Sequence, residues 1–553
     1  MYKPESRKLA EFIFGYNENN AFGLPHFDAR LDDPKLTFDD SKNRQRVPMV
    51  NGPAPKPSKI LMKQFFYSPL LLPFIFCGCE EVAKDDQKPN ILFIAIDDLR
   101  TDELGFYGNP VAVSPNLDEL AKTGSVFANH YVNVPTCGAS RNCLLTGMLP
   151  RERRDLWNSA IRDNFSGKPE EEKPETFIHH LRRNGYYTVG IGKISHWVDG
   201  LLYGYREPVG TEYELPHSWD EMLLDPGKWG TGWNAFFGYA DGENRQSMNG
   251  QVKPYEMADV EDTGYPDGLI TELAIEKIGE LAEKETPFFL AVGFFKPHLP
   301  FNAPKKYWDL YNREDIPLSP VPYIPENVNP ASLHGSGEFN SYQLGDERAS
   351  LKGPVSDEYA RKLRHAYLAC ISYIDAQVGK LVEQLESLDL AKNTVIVVWS
   401  DHGWHLGDHL VWGKHTVFEK SLKSPLIINI PGHSAVNEVT RIVSTTDIYP
   451  TIVELSGTGM PHETDGKSLL PLMNDNLHEW EDAAFGYWDN GISLRTGRYR
   501  LNRYFREDEP VIELYDHYTD PDETKNVADE NSEVVRSLLT LWEKGNTGLF
   551  DPE

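Results

Sequence analysis

The sequence predicts an α/β fold, a doubly wound sheet with a smaller α+β region at its C-terminal end. Three observations predict it. Continuous apolar runs such as Ile91-Leu92-Phe93-Ile94-Ala95-Ile96 end in acidic residues, as strands of a parallel sheet buried on both faces do. Segments of helical period lie between such runs. After about residue 460 the pattern changes to short stretches set among turns. At 553 residues the chain is too long for one ordinary core, so two packed units plus an extension are expected.

The elements follow in order. Residues 1–61 are polar, Pro-rich and without clear periodicity, and are read as a mis-called or disordered extension. Residues 62–79 have the layout of a secretory signal: Met62-Lys63, a short apolar stretch broken by Pro69 and Pro73, then small residues. Phe76-Cys77-Gly78-Cys79 resembles a bacterial lipobox, which makes Cys79 the lipidated first mature residue and Met62 the native start. The chain is therefore expected to be exported, as a periplasmic or cell-surface lipoprotein touching the membrane only through that lipid. The plainer alternative is a buried apolar segment.

The larger unit spans 88–460. It opens at Lys88-Pro89-Asn90, and the runs at 186–191, 288–292, 394–399 and 426–430 read as further strands. The clearest helix carries Leu363, Tyr367, Ile371, Ile374, Val378, Leu381, Leu385 and Leu388 on one stripe, with Ser356 as N-cap. Asn184-Gly185 predicts the stop of a helix around Phe177 and Leu181. In doubly wound sheets ligands bind beyond the strands' carboxyl ends, and both Asp97-Asp98 and Asp401-His402 fall there. The smaller unit, 461–553, has strand-like stretches at 484–488, 492–496 and 511–515 and a helix near 532–544.

Composition limits function. A formal charge of −29 excludes a general nucleic-acid binder, whose footprint is basic. Hydrophobic content of 40% and aromatic content of 12% suit a globular enzyme. The cysteines, Cys77, Cys79, Cys137, Cys143 and Cys370, fit neither a zinc site nor a disulfide scaffold.

Cys137-Gly138-Ala139-Ser140-Arg141-Asn142-Cys143-Leu144-Leu145-Thr146-Gly147 resembles the signature of the formylglycine sulfatases. Asp97-Asp98, Lys193-Ile194-Ser195-His196, Lys296-Pro297-His298-Leu299-Pro300-Phe301, Ser400-Asp401-His402-Gly403-Trp404 and Trp412-Gly413-Lys414 stand in the order of that family. The resemblance covers 88–553 and is greatest to the iduronate-2-sulfatase group. Its grounds are His402 after Asp401, the Lys193–His196 spacing, and Lys-Pro-His-Leu-Pro-Phe. It implies an alkaline-phosphatase-like fold, with 88–460 as the catalytic domain, and a sulfuric ester hydrolase acting on a sulfated oligo- or polysaccharide.

It also implies a formylglycine made from Cys137 by a sulfatase-maturing enzyme. Ala139 replaces the family's usual Pro and points to the anaerobic radical type. One Ca²⁺ would be held by Asp97, Asp98, Cys137, Asp401 and His402; carboxylate oxygens suit that hard cation. In the mechanism so implied, the aldehyde hydrate attacks sulfur and then expels sulfate. His196 serves as base, His298 protonates the departing sugar oxygen assisted by Lys414, and Arg141, Lys193 and Lys414 supply positive charge. Trp404 is expected to line the sugar pocket, while Lys296 and His405 stay outside the site. A 2-O-sulfated uronate and an algal polysaccharide such as ulvan are both open as substrates. The alternatives are a phosphatase or phosphodiesterase of the same superfamily, and a non-catalytic protein that binds sulfated glycans.

The blander readings are an inert buried thiol for Cys137, helix caps for the Asp pair, and surface or core roles for the lone Lys and His residues. Their joint occurrence in order outweighs each of them. Because the whole chain is acidic and a sulfate ester is an anion, the site itself is expected to be locally basic.

Overall fold

The computed structural model describes residues 88–169, 174–433, 436–507 and 509–550. The expectations for 1–61, for the signal at 62–79 and for a lipid on Cys79 lie outside the described residues. Residues 88–553 belong to one compact unit.

The strands, in chain order, begin with β1 (Asn90–Ile96), β2 (Ser125–Tyr131), β3 (Tyr187–Gly192), β4 (Glu221–Leu223) and β5 (Tyr255–Ala258). They continue with β6 (Phe288–Phe294), β7 (Phe301–Pro304), β8 (Thr394–Ser400), β9 (His405–Leu406), β10 (Trp412–Gly413), β11 (Leu426–Asn429) and β12 (Glu438–Ser444). Eight of these form one sheet in the order β12-β2-β11-β8-β1-β6-β3-β4. The central β1 is parallel to both β6 and β8. Alternation along β1 builds two cores. Leu92, Ile94 and Ile96 pack against the helices Pro266–Ala282 and Asp357–Ser387. Ile91, Phe93 and Ala95 pack against Phe177–Arg183 and Ile448–Leu455. Burying each such side chain contributes about 1.5–3 kcal/mol, which is why a run apolar at every position makes an inner strand.

The local signals hold. Ser356 Oγ accepts from the Tyr359 amide and caps Asp357–Ser387. Asn184 ends Phe177–Arg183, and Gly185 at φ 95° turns the chain through a conformation that a side chain would resist. One expectation is corrected. The run at 426–430 lies antiparallel to β8 and to β2. A parallel return needs a long crossover, usually a helix, and between β8 and β11 the chain forms only the short pair β9–β10, a 3₁₀ turn and the four-residue helix Glu419–Leu422.

The C-terminal part is a four-stranded antiparallel sheet, β13 (Ala483–Trp488), β14 (Gly491–Thr496), β15 (Tyr499–Tyr504) and β16 (Val511–Asp516), with the helix Ser532–Trp542. Tyr487, Ile492, Leu494, Leu501 and Trp542 share an apolar cluster with Ala139 and Cys143. The small sheet thus braces the helix Cys137–Thr146 from behind. Glu419 adds a buried anchor, taking Arg495 Nε at 3.1 Å and a further hydrogen bond from Arg500, both from the small sheet.

Candidate active site

Four adjacent strands of the sheet, β8, β1, β6 and β3, end at the same edge. Their carboxyl ends lead into Asp401-His402, Asp97-Asp98, Lys296–His298 and Lys193–His196. The chain after β2 brings in Cys137 at the start of its helix, and the loop after β10 brings Lys414. Segments up to about 300 residues apart in sequence therefore meet at one place, as the carboxyl edge of such a sheet allows.

Asp97, Cys137, Asp401 and His402 each offer a donor atom, all within 4.8 Å of one another and all buried. Asp98 turns at φ 62°, a left-handed conformation that costs of order 1 kcal/mol or more in a residue with a side chain. It is held there from two sides: its amide donates to Asp401 Oδ1 at 3.1 Å, and Tyr367 Oη donates to its carbonyl. Lys414 Nζ donates to Asp98 Oδ1 at 2.9 Å and reaches Cys137 Sγ at 3.4 Å. Lys193 pairs with Asp97 Oδ2 and sits 4.3 Å over the Phe236 ring. Arg141 donates from Nε and Nη2 to Asp401 Oδ2 at 3.1 and 2.9 Å, and its Nη1 reaches the Lys193 and Ile194 carbonyls. It braces the carboxylates from beneath.

Burial opposes ionisation of Asp97, but Lys193, His298 and Arg141 hold it well below the usual carboxylate range. Burial lifts Asp98 well above it, against the pull of Lys414 and His402. Burial, with Asp97 beside it, pushes the Cys137 thiol up to about 12. As a thiol it is neutral and a weak nucleophile.

The histidines are oriented by carbonyls, which only accept. His402 Nδ1 donates to Gly403 O at 3.0 Å, which turns Nε2 toward Asp98 Oδ1 at 3.3 Å and Cys137 Sγ at 3.4 Å. His298 Nδ1 donates to Leu299 O at 2.7 Å, and its Nε2 lies 3.1 Å from Glu338 Oε1. Burial and Lys414 push His298 down to about 3, while Glu338 pulls the other way; an arriving anion adds to Glu338's side. His196 packs edge-on against Trp197 at 5.2 Å, with Nδ1 unpartnered. Burial and Lys193 hold it well below its ordinary value.

These groups border one pocket, whose walls include Cys137, Lys193, His196, His298 and Lys414. Sequence reasoning missed Glu338, Arg245, Tyr205, Trp233, Phe236 and Phe237, which with Asn158 and His415 complete the lining. The close spacing of Trp229, Trp233, Phe236 and Phe237 was a usable signal; Glu338 follows Ser336 in a short helix, Gly337–Asn340, with no periodicity to mark it. Trp404 is corrected: it is fully buried in the core beside Phe301, under Lys414, and is not part of the lining. Lys296 supports the loop by donating to His298 O at 2.8 Å, and His405 is bonded to Asp408 O and Thr416 Oγ1. The site's own charges are also not basic in sum. In formal charge, Asp97, Asp98, Asp401 and Glu338 equal Arg141, Lys193, Lys414 and Arg245 in number, while burial opposes the charge on Asp98.

A doubly wound sheet with a buried carboxylate cluster at its carboxyl edge, a cysteine at a helix start and lysines around it suits a hydrolase of charged esters. The sulfatase family model matches residues 89–458, and the model for the N-sulphoglucosamine sulphohydrolase C-terminal region matches 407–544. The chain belongs to the sulfatase family and is a sulfuric ester hydrolase. It is 33% identical to mouse (Mus musculus) iduronate 2-sulfatase over 405 residues, covering 69% of this chain and 67% of that one. It is 29% identical to a sulfatase of Formosa agariphila over 515 residues, covering 89% and 95%. The fold matches the phosphonate monoester hydrolase of Agrobacterium radiobacter with TM-score 0.65 at 24% identity, over 83% of this chain and 96% of that one.

Proposed function

We propose that this sulfatase removes sulfate from a sulfated saccharide, using a formylglycine derived from Cys137 and one calcium ion. The observation that carries the reading is the meeting of Cys137 Sγ with Lys414 Nζ and His402 Nε2, each at 3.4 Å, beside the carboxylate cluster.

The residues fit a cation. His402 Nε2 faces Asp98 Oδ1 at 3.3 Å, and Asp97 Oδ1 is buried without a hydrogen-bond partner. A positive ion among Asp97, Asp98, Asp401 and His402 satisfies all of them, and three carboxylates favour a hard one such as Ca²⁺. When bound, it supplies charge for the sulfate oxygens and tips the balanced site positive. The aldehyde form of Cys137 supplies, as a hydrate, a hydroxyl nucleophile that the neutral thiol lacks.

The chain's own groups do the rest. Lys193 and Lys414 border the position of the sulfate and oppose its charge. His298 is held by Leu299 so that Nε2 faces the pocket beside Glu338; resting neutral, it takes up a proton as the anionic substrate arrives and passes it to the leaving oxygen. His196, with one ring nitrogen free, takes a proton when sulfate is released. Phe236, Phe237, Trp233 and Tyr205 give apolar faces for a sugar ring. A 2-O-sulfated uronate is favoured by the likeness to iduronate 2-sulfatase, with ulvan-type algal saccharides next. Export with a lipid on Cys79, and maturation by a radical-type enzyme because of Ala139, belong to the same reading.

The test has two parts. Mass spectrometry of the Cys137 peptide from active protein should find the aldehyde in place of the thiol. A screen of defined sulfated saccharides should find sulfate release from at least one uronate 2-sulfate or ulvan fragment. An active preparation carrying only thiol at Cys137 refutes the nucleophile, and activity confined to non-sugar sulfates refutes the substrate.

A further inference from the structure

Six arginines are buried among the described residues: Arg100, Arg141, Arg245, Arg364, Arg495 and Arg500. Five are paired with carboxylates. Arg100 meets Asp408 at 2.7 Å, Arg141 meets Asp401 at 2.9 Å, Arg364 meets Glu103 at 2.7 Å and Arg495 meets Glu419 at 3.1 Å, while Arg500 pairs with Glu523. Arg245 is the exception, with 7% of its surface exposed and no ion pair among the described residues. Its guanidinium lies 3.7 Å over the Phe237 ring and 5.3 Å from that of Tyr342. The backbone holds it in place, its amide on Phe237 O at 3.2 Å and its carbonyl on the Gly250 amide at 2.9 Å.

Arg245 lines the same pocket as Cys137. The one acid of the pocket wall, Glu338, is already engaged with His298 Nε2 at 3.1 Å and Lys414 Nζ at 3.7 Å. Burying a cation without an anion costs several kcal/mol, and ring stacking offsets only about 0.5–2. A guanidinium fork matches an oxyanion with two oxygens. Lys193, Lys414 and the carboxylate cluster already serve the sulfate that is removed. Arg245 is left over for another group of the same substrate.

We propose that Arg245 binds a second oxyanion on the sulfated sugar, a carboxylate or a further sulfate ester, and so selects doubly anionic sugars over neutral monosulfated ones. This rests on the reading of the substrate as a saccharide.

Calorimetry in calcium-containing buffer tests it, on the Cys137→Ala protein so that the probes are not consumed. The probes are a neutral monosaccharide monosulfate, a uronic acid monosulfate and a monosaccharide disulfate. At least one doubly anionic probe should bind about 10- to 100-fold tighter than the neutral-sugar probe. Adding Arg245→Gln should close that gap, and which probe loses affinity tells carboxylate from sulfate. Arg245→Lys, which keeps the charge but not the fork, should close it in part. Because the free protein holds this charge unpaired, Arg245→Gln should melt no lower than its parent. A gap absent from the parent, or surviving in Arg245→Gln, overturns the proposal, as does a large fall in melting temperature. Binding of no sugar probe at all overturns the saccharide reading itself.

Discussion

Replacing His298 by alanine separates proton donation from every other service of the site. Leu299 O, 2.7 Å from Nδ1, accepts that nitrogen's proton, so any proton for the leaving oxygen passes through Nε2. That atom lies 3.1 Å from Glu338 Oε1 and 3.8 Å from Asp98 Oδ2, inside the pocket. A positioned general acid is worth roughly 10²–10⁴ in rate. At about 1.36 kcal/mol per tenfold, this is about 2.7–5.4 kcal/mol of transition-state stabilisation. The full amount is at stake when the leaving group is a sugar alkoxide, which cannot depart unprotonated. A nitrophenolate is stable as an anion, so 4-nitrophenyl sulfate should lose less than about tenfold. The assay is kcat/KM for both substrates on His298→Ala and its parent, with bound calcium measured on each protein. Equal losses on the two substrates at unchanged calcium refute the assignment of His298 as the acid.

The same pair of substrates tests His196→Ala, which should slow both by similar factors because release of sulfate follows departure of the leaving group; a loss confined to the sugar sulfate refutes that role. Chelation, or Asp401→Asn, should lower activity about 100-fold or more and lower metal content by elemental analysis; full activity without metal refutes the cation. His130 is buried between Ser424 O at 3.0 Å and Thr445 Oγ1 at 3.0 Å, and burial holds it down at about 4. Its folded-state value lies below the ordinary 6.5, so its stabilisation is present above about pH 6.5 and is lost as pH falls through about 4, ~3 kcal/mol in all. The melting temperature should therefore fall across that window, and less steeply in His130→Gln; parallel slopes refute it. Expression from Met62 should give an exported protein with a lipid on Cys79, and an unprocessed product found in the cytoplasm refutes the signal.

Local rules made much of this legible. Runs apolar at every position became β1, β3, β6 and β8, and Ser356 and Asn184 mark helix ends because capping is decided within a few residues. β2 and β12 escaped notice, since Ser125–Tyr131 and Glu438–Ser444 mix polar and apolar residues at the sheet's far side. The antiparallel turn of β11 depends on the connection before it rather than on its own residues. Asp97, Asp98, Lys193, Asp401 and His402 were readable because each sits just past a strand end, while Cys137 and Arg141 were readable from the motif at the start of their helix. Arg245 and Tyr205 lie on irregular segments and Glu338 on a single helical turn, and their approach to Cys137 is fixed only by the tertiary fold, so no spacing announces them.

The bracing of the Cys137 helix by the small C-terminal sheet has a bearing on the order of events in the life of the chain. Cys137 is 2% exposed, and Ala139 and Cys143 beside it are sealed against Tyr487, Leu494 and Trp542. An enzyme large enough to rebuild a side chain cannot grasp that segment once residues beyond about 480 have docked. Any alteration of Cys137 by another protein must come while the segment is still extended, after its synthesis and before the C-terminal strands close behind it. Under the proposed conversion of Cys137, folding speed would then set the active fraction of a preparation: a chain that folds ahead of its modifier would stay inert, and one that folds slowly would have longer to be converted.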